Sequence, residues 1–144
     1  MRIIIPAVAE RLRPEVIPAA LAAAQEHDQP GMVEVWWIHP NNPYHYDTLL
    51  RGWWMVQMTF LLLEHDVVLE RQAIAEFAQC PRPWCVSPYN DHTLLGCSRF
   101  RPEQLGAPGW LPSAWNQLDQ AVYAWLGMRG HQPHIHPGLA RHLH

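Results

Sequence analysis

The stretch Thr59-Phe60-Leu61-Leu62-Leu63-Glu64-His65-Asp66-Val67-Val68-Leu69 is an apolar run interrupted by two carboxylates one residue apart. An apolar run that does not alternate suits a central strand of a parallel sheet covered on both faces. In open α/β sheets, ligands collect beyond the carboxyl ends of such strands. Glu64 and Asp66 stand at that end. Residues two apart in an extended chain project to the same side, so both carboxylates can converge on one hard cation. The same pair also fits an ordinary polar strand end on a solvated turn, because short acidic pairs are common.

Outward from that stretch, the chain alternates strands with helices. Arg2 to Val8 opens with Ile3-Ile4-Ile5, read as a buried strand halted by Pro6. Pro14 to Asp28 is predicted helical, with prolines in or near its first turn and an Ala-rich body ending at Gln29-Pro30-Gly31. Met32 to Ile38 is a second strand, closed by the turn formers His39-Pro40-Asn41-Asn42-Pro43. Tyr46 to Met58 is the next helix and leads into the strand before Glu64. This order implies right-handed crossovers and a parallel sheet.

Beyond Asp66, helical spacing covers Leu69 to Cys80, stopped by Pro81-Arg82-Pro83. Short strands are expected over Trp84 to Tyr89 and Thr93 to Phe100, joined by a turn at Asn90-Asp91-His92. Arg101 to Pro112 reads as irregular. Ser113 is placed as the cap of a helix running to about Met128 and terminated by Gly130. The tail from His131 to His144 holds five of the ten histidines.

With 144 residues, one domain over 1–144 is expected, large enough to bury a core without disulfides or structural metal. The longest apolar run is too short to cross a bilayer, and Arg2-Ile3-Ile4-Ile5-Pro6 is not a secretory leader, so a cytoplasmic protein without a membrane partner is expected. Cys80, Cys85 and Cys97 form no CxxC unit and are read as reduced core residues, with neither a disulfide framework nor a zinc knuckle signalled. A formal charge of -3 argues against a broad nucleic-acid-binding face. All ten basic residues are Arg, which says little about mechanism. The eight Trp are expected mostly in the core, with a minority available as platforms for a sugar or base. GxGxxG is absent, which disfavours a nicotinamide or flavin enzyme.

The layout resembles the GT-A family of nucleotide-sugar glycosyltransferases, in a short, family-2-like form such as actinobacteria and their phages encode. The residues that carry the resemblance are Ile3-Ile4-Ile5-Pro6-Ala7 as opening strand and Leu61-Leu62-Leu63-Glu64-His65-Asp66 as the strand bearing the DxD-like acids. Gly96-Cys97-Ser98-Arg99-Phe100, Leu118-Asp119 with Gly130, and His142-Leu143-His144 follow in the family's order. The resemblance implies an α/β, Rossmann-like fold and transfer of a sugar from a nucleoside diphosphate to a hydroxyl acceptor. A manganese or magnesium ion would neutralise the diphosphate leaving group.

On that resemblance, Glu64, Asp66 and a tail histidine are the metal ligands. His142 is favoured by position, with His136 and His144 as substitutes. Asp119 is similar to the general base of inverting enzymes, although Leu118-Asp119 stands where the family usually has Glu-Asp. Ala7, Val8, Glu10, His39 and His65 fall where the family contacts the nucleotide, His39 replacing a more usual Asp. Arg11 and Arg51 could reach the diphosphate. The acceptor is open; so short a chain implies a large acceptor with its own surface or a homodimer, and nucleic acid enters only as an acceptor. A nucleotidyltransferase would be expected to carry a basic Gly-rich loop after the first strand, where this chain has Ala7-Val8-Ala9-Glu10. A degenerate module that binds a nucleotide or glycan without turnover is the non-enzymatic alternative. A hydrolase built on the His-rich tail is weaker, since no HExxH motif is present.

Overall fold

The computed structural model describes residues 1–28, 32–89 and 95–143. Its elements are β1 (Arg2–Ala7), a 3-10 turn (Ala9–Arg11), α1 (Val16–Glu26), β2 (Val33–Trp37), α2 (His45–Met55), β3 (Phe60–Leu63) and β4 (Val67–Leu69). They continue as α3 (Ala73–Gln79), β5 (Trp84–Val86), β6 (Cys97–Phe100), α4 (Pro102–Leu105), α5 (Leu118–Met128), β7 (His134–Ile135) and β8 (Ala140–His142).

Six strands form one sheet in the order β2-β1-β3-β6-β5-β7. β1 runs parallel to both β2 and β3, and β5 parallel to β7, while β6 is antiparallel to β3 and β5. The sheet is therefore mostly parallel and flanked by helices, which bears out the expected α/β fold. Ile3, Ile5, Leu61 and Leu63 join one core with the small residues Ala20, Ala23 and Ala24 of α1 and with Ile74 and Phe77 of α3. Ile4, Phe60 and Leu62 face the other core, with Leu50, Trp53 and Trp54 of α2 and Val122 and Leu126 of α5. Burial on both faces is why the run around Leu62 shows no period of two. Among the described residues, no helix is long and apolar enough to cross a membrane.

Several boundaries differ from expectation. Pro6 does not halt β1: it sits in register with Trp36 of β2, beyond the last pairing of β1 with β3 at Ile4↔Leu62, where the sheet tolerates a missing N–H. The 59–69 run is two strands, because the chain turns over 64–66 and Val67–Leu69 pairs with Ala140–His142 in a separate two-stranded sheet. That pairing delays the next helix to Ala73. Ser113 caps nothing; its N–H donates to Asp47 Oδ2 at 2.8 Å, and α5 begins only at Leu118. Pro102–Leu105 is a short helix inside the segment read as irregular. Gly130 does end the last helix, with φ of 84° in the left-handed region. The expected turn at Asn90-Asp91-His92 and the helix end at Gln29-Pro30-Gly31 lie outside the described residues. Cys80 and Cys85 are joined as a disulfide, correcting the reading of reduced core thiols; Cys97 alone is free and buried. The chain's return from α3 into β5 brings the two sulfurs together.

Candidate functional site

The site grows from the carboxyl ends of β1, β2 and β3. A cleft of about 420 Å³ opens there, between the turn after β1, the loop after β2 and the Glu64-His65-Asp66 turn. This is the crevice that an α/β sheet leaves for a ligand. Val8, Glu10, Arg11, His39, Glu64, His65 and Asp66 of the expected set line it, joined by Tyr46 and Trp115.

The carboxylates reach the cleft through a turn, not an extended strand. The N–H of Glu64 donates to the Gly96 carbonyl at 2.9 Å, and the N–H of Val67 to the Glu64 carbonyl at 3.2 Å. Glu64 accepts the Tyr89 hydroxyl at 3.0 Å. A Cβ at Gly96 would sit 2.7 Å from Glu64 Oε2 and against the Tyr89 hydroxyl, so only glycine leaves room for this pair. The Glu64 side chain keeps some contact with solvent, yet close packing pushes its carboxyl up to about 7. Burial is the main cause; the Tyr89 hydrogen bond opposes it, and the charges of Asp66 and Asp119 add to it.

Asp66 meets the tail. Its Oδ2 lies 3.0 Å from His142 Nε2, and the His142 ring stacks on Tyr89 at 5.7 Å with an interplanar angle of 22°. The register Val67↔His142 of the small sheet creates this contact across 76 residues. Asp66 Oδ1 is buried without a hydrogen-bond partner, an acceptor that a cation would satisfy. Magnesium and manganese sites commonly take one or two carboxylates and leave the remaining positions to substrate phosphates. Glu64, Asp66 and His142 fit that pattern. They do not form a closed cluster: the group of ligating atoms that does, among the described residues, is Cys80, Cys85, His134 and His136.

The other expected residues fall as follows. The His65 ring is held below the usual imidazole range, first by burial and also by Arg11 and His142, against the pull of Asp66. Arg11 lies over the Trp115 ring at 5.6 Å. His39 Nδ1 accepts the Asn41 N–H at 3.1 Å, while the His39 N–H donates to His45 Nδ1 at 2.8 Å. Ala7 is buried beneath the cleft and contributes its carbonyl to Ile38 at 2.8 Å. Arg51 is not among the lining residues. Its Nε donates to the buried Asp47 at 2.9 Å, its Nη2 to the Trp110 carbonyl at 2.6 Å, and it stacks on the Trp110 ring at 4.7 Å. Asp119 lies in the first turn of α5, where Oδ1 accepts the Gln120 N–H at 2.9 Å. It does not line the cleft, but its charge is felt at Glu64 and Tyr46. Of the tail histidines, His142 meets Asp66; His136 packs on Phe77 and His134 instead, and His144 lies outside the described residues.

Tyr46 and Tyr89 escaped the sequence reading, while Trp115 is one of the Trp that flank the site in sequence and is the one that lines the cleft. The Tyr46 hydroxyl is buried without a hydrogen-bond partner, and burial holds it well above the ordinary phenol range. Single aromatics carry no spacing that marks them as wall residues.

No family model matches the sequence, and no curated protein is significantly similar to it. Solved structures do match its fold over nearly the whole chain. The A197 protein of STIV aligns with TM-score 0.59 and 14% identity, covering 100% of this chain and 86% of that one. A glycosyltransferase involved in glycosylation of the major capsid of PBCV-1 aligns with TM-score 0.57 and 11% identity, covering 98% and 92%. A Bacillus anthracis protein assigned as a glucose-1-phosphate thymidylyltransferase, solved with sucrose, aligns with TM-score 0.60 and 9% identity, covering 97% and 87%. Identities this low establish the fold alone. The same fold is thus shared with that glycosyltransferase and with that thymidylyltransferase.

Proposed function

We propose that the chain, as one minimal domain, is a divalent-metal-dependent glycosyltransferase that moves a sugar from a nucleoside diphosphate to a hydroxyl acceptor with inversion. The observation that carries this reading is the meeting of Asp66 with His142 beside Glu64, at the end of β3 and on the wall of the cleft. Residues far apart in sequence converge where a diphosphate would lie. A manganese or magnesium ion held by Glu64, Asp66 and His142 would neutralise the charge that develops on the departing diphosphate. Arg11 is positioned to add a second positive charge at the cleft mouth, while Trp115 and Tyr46 offer surfaces for a ring. Asp119, on the first turn of α5, takes the proton of the attacking hydroxyl in this reading. The short chain leaves the acceptor side to a large acceptor or to a second copy of itself.

The nucleotidyltransferase reading is favoured by the thymidylyltransferase neighbour, yet the 3-10 turn Ala9–Arg11 after β1 offers one Arg and no glycine to cradle a triphosphate. A panel of nucleoside diphosphate sugars, followed by thermal shift with and without manganese, tests the proposal. One donor should stabilise the protein only when manganese is present, and Asp66→Ala should abolish that stabilisation while leaving the fold intact. Undiminished binding of the nucleotide-metal complex by Asp66→Ala would remove the acidic turn from the mechanism.

A further inference from the structure

Away from the cleft, four metal-binding side chains gather at the far edge of the sheet. Cys80 caps the C-terminus of α3, Cys85 lies in β5, and His134 and His136 belong to β7 and the residue after it. The ligating atoms of all four lie within 4.8 Å of one another. Strand pairing builds the cluster. Cys85 and His134 are register partners across β5 and β7, and the His136 N–H donates to the Val86 carbonyl at 2.8 Å. His134 Nδ1 is 3.2 Å from Cys80 Sγ.

We propose that in its reduced form this corner binds one zinc ion through Cys80, Cys85, His134 and His136, as a closed structural site that fastens the edge strand β7 to α3 and β5. The donor set selects the metal. Two thiolates and two imidazoles suit zinc and exclude magnesium or calcium. Arms of about 2.3 Å to sulfur and about 2.0–2.1 Å to nitrogen place the corners of a tetrahedron roughly 3.3–3.8 Å apart, so a span of 4.8 Å closes on one ion with small side-chain movements. All four positions are filled by protein, which leaves no open place for a substrate.

The surroundings fit as well. His136 Nε2 is buried without a hydrogen-bond partner, while its Nδ1 faces Glu76 Oε2 at 3.9 Å. A carboxylate behind a ligating imidazole is the usual way its orientation is held. Arg99 is fully buried, and among the described residues no carboxylate is hydrogen-bonded to it; its Nη2 donates to Cys85 Sγ at 2.8 Å and to the Cys80 carbonyl at 3.0 Å. Arg101 donates to the same Cys80 carbonyl at 2.8 Å. The Arg99 guanidinium against Cys85 Sγ favours the thiolate, the form that ligates zinc. The site is independent of what the cleft does.

Zinc alone is the probe. The 144-residue chain, kept reduced by a phosphine and shown folded by circular dichroism, should bind one equivalent of zinc and gain thermal stability from it. Cys85→Ser or His136→Asn should weaken that affinity by about 100-fold. Because a cysteine variant can fail to fold, cobalt substitution of the parent chain supplies a second readout. It should give the thiolate-to-cobalt charge-transfer band and intense visible bands of a tetrahedral site. A reduced, folded protein that takes up no zinc, or gives a cobalt spectrum without thiolate bands, overturns the proposal. So does a folded Cys85→Ser variant that binds zinc as tightly as the parent.

Discussion

The acidic turn and the Cys/His corner are built from similar numbers of ligating side chains and differ in everything that decides use. At the corner, four ligating atoms at the ends of α3 and β7 and in β5 stand within 4.8 Å, two of them sulfurs that reduction of the Cys80–Cys85 disulfide would free. At the turn, Glu64 leans on Tyr89 and Asp66 on His142, and both carboxylates face a cleft of about 420 Å³. A closed nitrogen and sulfur set completes itself. An open oxygen set waits for phosphate oxygens to complete it. The difference separates a site that supports the fold from one that can take part in a reaction.

The comparison breaks most sharply at Asp119. Asp119→Asn should lower the transfer rate by about 100-fold to 10,000-fold while donor and manganese affinities, and zinc content, stay at parental values. Near-parental turnover, or a product with retained configuration, would strike Asp119 from the reaction and leave a cleft that binds without turnover.

Glu64 sharpens the same contrast through pH. Its carboxyl rises from the ordinary 4.5 to about 7, so between those values the folded chain holds a proton that the unfolded chain releases. Stability therefore falls as pH rises through that window and levels off above it. Glu64→Gln should erase this slope and leave the variant more stable than the parent above pH 7, by at most about 3 kcal/mol. Urea unfolding at several pH values checks it; parallel slopes in parent and variant would contradict the placement of the carboxylate.

The smallest expected effect belongs to His142. His142→Ala should weaken manganese affinity in the donor complex by about 10-fold, with little change in zinc binding. Unchanged manganese affinity would reduce the turn to its two carboxylates.

How much of this was legible in the sequence follows from where the information sits. The β1 and β3 runs announced burial on both faces, because apolar residues filled both parities of each strand. Glu64 and Asp66 were legible as a pair at a strand end, and His142 by its place in the tail. The break of 59–69 into β3 and β4 was not, since Leu63 and Val67 are equally buried on either side of the turn. Arg51 was read as facing a diphosphate although Asp47, four residues earlier on the same helix, was the nearer partner. Asp47 also takes the Ser113 N–H, while the Ser113 hydroxyl donates to the Leu111 carbonyl at 2.8 Å, five residues short of the helix. The Cys80–Cys85 spacing carried no familiar pattern, and His134-x-His136 became meaningful only when β7 paired beside β5.

The pairing of β4 with β8 also sets an order in time. The walls of the cleft come from β1, β2, α2 and β3 and the turns that follow them, within the first 66 residues, with Trp115 added from later in the chain. His142 reaches Asp66 only after a loop spanning 76 residues has closed, and contacts that distant form late in folding. Closing that loop carries the larger entropic cost, so the proposed metal site would be completed by the least local of its contacts.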